Sequence, residues 1–233
     1  MIDLSLVLAI ALALIHGFAT KLPIFTIFPR FRWISFAAGV SLSYVFLEIF
    51  PELSHAQEEF QHSGIGTIEY LENHVYVLAL LGVLVFYGLN LLAIKTKYRN
   101  SLIFWIQVGA FALLNFIMGY LLQDLGEHGL FACILFFITS ALHLFIIDDN
   151  LREHQKSLYD RFGRWILVGA IIFGTVIGRT IQLPEIAIAS IWSFLAGTII
   201  INVIKGELPD TKKTCFVSFI SGSFIFAMLL FVM

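Results

Sequence analysis

Eight apolar stretches, each close to the length that crosses a bilayer, leave this chain little freedom in what it can fold into. They run over 2–20, 33–50, 74–94, 102–122, 129–147, 164–181, 184–204 and 214–232. A hydrocarbon core about 30 Å thick needs roughly 20 apolar residues of helix. The stretches fill nearly all of the 233 residues, so the expectation is an all-α membrane protein with eight transmembrane helices. The whole of 1–233 reads as a single transmembrane domain, with no soluble one. Charged residues make up only 13%, against about a quarter in soluble domains. The first stretch begins Met1-Ile2-Asp3, without a basic start or an A-x-A cleavage pattern, and reads as a retained helix. Cys133 and Cys215 fall inside spans and lack a CxxC neighbour, which fits small buried apolar residues.

The loops then set the orientation. Lys21, Arg30 and Arg32, Lys95, Lys97 and Arg99, Arg152, Lys156, Arg161 and Arg164, and Lys205, Lys212 and Lys213 all fall on one side. That is thirteen of the fourteen basic residues, with Arg179 alone opposite. By the positive-inside rule these loops are cytoplasmic and both termini are extracytoplasmic. A net charge of −2 gives no sign of nucleic-acid binding; the partner implied is the lipid bilayer.

A pattern recurs within the chain. The segment 36–52 reads FAAGVSLSYVFLEIFPE and 194–210 reads FLAGTIIINVIKGELPD. Ala38-Gly39 precedes Pro51-Glu52 by the interval that separates Ala196-Gly197 from Pro209-Asp210. The second span runs outward and the seventh inward, so the kinship relates opposite directions. This predicts an inverted repeat, spans 1–3 against spans 6–8, around spans 4 and 5. Secondary transporters are often built so, with the site near the midplane. Gly174 and Gly178 on the sixth span form a GxxxG pair suited to helix packing, or to a homodimer or partner-protein face.

Polar groups inside spans are costly and mark function or helix–helix bonds. Glu48 is an acid well inside a span, one turn before Glu52. Asn115 lies near the middle of the fourth span, Ser140 near the middle of the fifth, and Gln107 and His143 in their inner halves. The segment 53–73 reads as an acidic outer loop carrying Glu58, Glu59, Glu69, Glu72, His55 and His62. Past the fifth span, 148–164 reads as a mixed-charge cytoplasmic helical extension.

The chain resembles the ZIP (Zrt-, Irt-like protein) family of divalent-metal transporters over its whole length. The resemblance rests on the eight spans, on Glu48-Ile49-Phe50-Pro51-Glu52 in place of H-L-L-P-E, and on Ala196-Gly197-Thr198. Leu114-Asn115-Phe116-Ile117-Met118-Gly119 is similar to H-N-x-x-D-G, and 135–140 can be laid on L-H-E-x-P-E. The resemblance implies inward transport of zinc or another divalent metal as substrate, by rocking of the repeats about the central spans. It also implies a binuclear site on spans 4 and 5. Of that site only Asn115 is retained; Leu114, Met118, Phe136, Phe137 and Ser140 stand at the other positions. The expected metal-binding set is therefore non-standard: Asn115, Glu48, Glu52 and His143, with Gln107, Met118 and Ser140 lining the pore. The alternative is a ZIP-fold protein without metal transport, acting as a partner subunit, a sensor or a carrier of another solute. No HExxH or GxSxG occurs, and the chain does not read as an enzyme.

Overall fold

The computed structural model describes residues 4–18, 29–62, 74–95, 101–207 and 214–232. All of the regular structure among them is helical. Helix α1 spans Leu4–Phe18 and α2 Arg30–Tyr44; a π-helical turn at Val45–Ile49 leads directly into α3, Phe50–His62. Then come α4 (His74–Lys95), α5 (Ser101–His128) and α6 (Leu130–Leu158). A second π turn at Tyr159–Gly163 opens α7 (Arg164–Thr180), followed by α8 (Glu185–Glu207) and α9 (Phe216–Val232). Six helical stretches are long and apolar enough to cross a membrane, and α1 and 216–231 of α9 are shorter apolar helices. This is an all-α membrane protein.

Part of the segment 53–73 differs from its loop reading. Pro51 comes just after the π turn, and the helix continues through it to His62. Residues 63–73, with Glu69 and Glu72, lie outside the described residues, as do Lys21, Lys97, Arg99, Pro209-Asp210, Lys212 and Lys213. The extension after the fifth span is helical as expected, but it is not simply solvated. Asp148, Leu151 and Tyr159 on it are buried, and Gln155 breaks the helix with φ −144° and ψ 63°. Gly129 alone joins α5 to α6 at φ 122°, a backbone region open essentially to glycine.

The helices fall into two compact units. The first contains 1–33 and 89–182, and the second 34–88 and 183–233. In the first, α5 and α7 meet through backbone. A Cβ on Gly119 would run into the Ile171 carbonyl, and one on Gly174 into that of Phe116. Gly178 continues the seam, its would-be Cβ 3.0 Å from the Tyr120 oxygen. The GxxxG pair thus packs within the chain.

The second unit uses the same device twice. Gly39 of α2 abuts the Phe219 carbonyl of α9, and Gly222 of α9 abuts that of Phe36. Gly82 of α4 abuts the Phe194 carbonyl of α8, and Gly197 of α8 abuts that of Ala79. In lipid no hydrophobic force joins helices, so close backbone approach through small residues supplies the van der Waals contact. Ser223 Oγ adds a bond of 3.1 Å to the Gly39 carbonyl. Large apolar side chains such as Val77, Leu84, Phe173 and Phe224 face outward, while Ser5, His16, Asn115, His143 and Asp148 are buried.

Candidate functional site

The first unit buries a polar cluster from four places in the chain. On α1, Ser5, Ala9, Leu12, Ala13 and His16 recur every three or four residues and are all buried. This helical stripe carries His16 into the interior. There its Nδ1 lies 2.6 Å from Asp148 Oδ1 of α6, and its Nε2 lies 2.7 Å from Asn115 Oδ1 of α5. The Tyr159 hydroxyl, from the π turn, donates to the same Asp148 Oδ1. Tyr159 and Asn115 are wholly buried, and Asp148 is 3% exposed.

The amide fixes which atom donates. Asn115 Nδ2 gives its hydrogen to the Phe111 carbonyl at 2.8 Å, which leaves Oδ1 to face the imidazole as an acceptor. His16 Nε2 is therefore the donor in that bond. With that hydrogen committed, a neutral ring would present the Nδ1 lone pair to a carboxylate oxygen. Attraction at 2.6 Å requires a proton between them, so His16 and Asp148 form a pair that is neutral as a whole. Asp148 Oδ2 is buried and has no hydrogen-bond partner among the described residues. The cluster therefore has an oxygen able to accept a cation, a water or a donor.

The expected site residues divide between the units. Asn115, His143, Gln107, Met118 and Ser140 are buried in the first. His143 lies five residues before Asp148 on α6, and neither of its ring nitrogens has a partner among the described residues. Glu48 and Glu52 belong to the second unit, Glu48 half-buried on the π turn and Glu52 exposed. Among the described residues no three His, Cys, Asp or Glu converge as a metal site would require. At the positions where the resemblance implies ligands, Leu114, Met118 and Phe136 are packed as fully buried apolar side chains.

Sequence reasoning passed over His16, Asp148 and Tyr159. The available signal was a lone imidazole in the otherwise apolar stretch LSLVLAIALALIHGF and an acid at the inner end of the fifth span. Thr139 and Thr175, by contrast, spend their hydroxyls on their own helix, bonding the Leu135 and Ile171 carbonyls at 2.9 Å each. No family model matches the chain, and neither a curated protein nor a solved structure does, which leaves the chemistry of these side chains as the guide to function.

Proposed function

We propose that the chain is a ZIP-like membrane carrier that moves a divalent cation inward through a non-standard site around Asp148, His16 and Asn115. The observation that carries this reading is the buried Asp148 carboxylate. One of its oxygens is held by His16 and Tyr159 and the other has no partner among the described residues. A half-satisfied carboxylate in an apolar membrane unit is expensive, and such groups mark ion pathways. An arriving cation would find Asp148 Oδ2 as its charged ligand, and His16 could become a nitrogen ligand only by giving up the proton it shares with Asp148 or with Asn115. Glu48 and Glu52, on the second unit, are the further acidic groups that the ZIP resemblance implies for this function.

The eight-span inverted repeat is part of the same proposal. Pairing spans 1–3 with spans 6–8 exchanges the second with the seventh and the third with the eighth. The Gly39–Gly222 contact joins the second and eighth spans, and Gly82–Gly197 joins the third and seventh. Each contact maps onto the other under that exchange, which supports the repeat. Basic loops inside and both termini outside complete the orientation.

The second reading, a ZIP-fold protein without metal transport, is favoured by one observation. Asn115 already bonds at both ends of its amide, to His16 and to Phe111. Reconstituted vesicles separate the two. The carrier reading expects Zn²⁺, Mn²⁺, Fe²⁺ or Co²⁺ flux that is lost in Asp148→Asn and falls in Glu48→Gln. Wild-type flux no greater than that of empty vesicles for all four ions would reject it.

A further inference from the structure

At one end of the first unit, aromatic rings and guanidinium groups are interleaved on the outside. Phe104 and Trp105 of α5 stack edge-on at 5.3 Å between centroids. The Trp105 ring lies 6.4 Å from Phe162 on the π turn before α7. Arg161 rides 4.9 Å above the Phe162 ring, and Arg164 5.1 Å above Trp165. Phe104 is buried at 3% exposure, and the other three rings are not core. Trp105, Phe162 and Trp165 are 37%, 44% and 52% exposed. The end of α1 meets the same rim, for a Cβ on Gly17 would touch Trp165 at 3.9 Å.

We infer that this rim is a binding site for the headgroup of an anionic phospholipid. Indole and phenyl rings exposed at the end of apolar helices sit at headgroup depth, where one side is oily and the other wet. An arginine laid over a ring face keeps its N–H edge for bidentate bonds to a phosphate. Charge favours an anion. Arg152 and Asp160 neutralise each other across 2.9 Å and Asp148 pairs with His16, so Lys156, Arg161 and Arg164 then outnumber Asp149 and Glu153 over the rest of 148–164. Arg164 is anchored by a long bond to the Gly17 carbonyl, 3.5 Å, and its Nε is buried without a partner among the described residues. Arg161 and Lys156 are exposed and supply the solvent-facing cations. A bilayer lipid fits better than a soluble phosphate because the rings supply apolar surface for acyl chains beside the cations. The assignment is independent of what the carrier moves.

The test uses the full chain in phosphatidylcholine nanodiscs, with tryptophan-to-dansyl energy transfer as the readout. At equal mole fraction, dansyl-phosphatidylglycerol is expected to give several-fold stronger transfer than dansyl-phosphatidylcholine. Each cation removed should weaken the preference by about five-fold, so Lys156→Gln with Arg161→Gln brings the two lipids level. Excess inorganic phosphate should leave the signal unchanged. Equal transfer from both lipids in the wild type, an undiminished preference in the double variant, or displacement by inorganic phosphate would each overturn the assignment.

Discussion

His16 Nδ1 and Asp148 Oδ1 lie 2.6 Å apart although 132 residues separate them in the chain. The contact closes α1 onto α6 inside the first unit, and Asn115 adds α5 through the other ring nitrogen. An ion pair here has lost its water, and its coupling is set by how badly one partner tolerates the other's absence. Removing one side of a buried pair costs about 3–5 kcal/mol, whereas replacing both by apolar groups is often close to neutral. His16→Leu and Asp148→Leu are therefore each expected to destabilise strongly, and the double variant less than either alone. Equilibrium unfolding in mixed micelles measures the cycle. A coupling of only about 0.6 kcal/mol, the mean for neutral hydrogen bonds between membrane helices, would mean that the pair carries no charge.

Tyr159→Phe isolates the third member. The ring is wholly buried, so the substitution keeps the packing and removes only the donor to Asp148. A hydrogen bond to a charged group contributes about 1.5–3 kcal/mol, and the variant should lose that amount in the same unfolding assay. If the chain carries cations as proposed, flux should also fall, because His16 alone would then hold Asp148 Oδ1. Unchanged stability would place the hydroxyl outside the network.

The close glycine seams give a contrast within a single helix. At Gly174 of α7 a methyl group would occupy the space of the Phe116 carbonyl, while at Gly169, five residues earlier, a Cβ meets nothing within 4 Å. Gly174→Ala must push α7 off α5 and is expected to lower the unfolding midpoint markedly. Gly169→Ala gains helix propensity, up to about 1 kcal/mol, and should hold or raise it. Similar midpoints for the two variants would contradict the packing of α5 against α7.

These seams mark how far the sequence alone reaches. The apolar runs announced the helices, because hydrocarbon imposes both length and composition. Ala38-Gly39 and Ala196-Gly197 could be picked out as a recurring pattern, since small residues survive where backbones touch. Which glycine met which carbonyl was not legible, as periodicity carries no information about the partner helix. The site was legible in fragments. Asn115 stood out as an amide inside a span, but His16 and Asp148 each lie at the end of an apolar run, where a polar residue ordinarily meets the interface. Only the fold brings the two ends to one place. The π turns at Val45–Ile49 and Tyr159–Gly163 were equally hidden, because a single extra residue per turn leaves the hydropathy pattern unchanged.

His143 offers the last prediction. Its imidazole is 2% exposed, and neither nitrogen has a partner among the described residues. An unsatisfied buried polar group costs about 1–3 kcal/mol. Leucine fills a similar volume without that cost, so His143→Leu is expected to raise the unfolding midpoint. If His143 lines a cation path, the same variant should transport more slowly, a gain in stability at the expense of activity. Vesicle flux and micelle unfolding on one preparation measure both. A stabilised variant with undiminished flux would make His143 a packing residue and leave the proposed cation site with Asp148, His16 and Asn115 alone.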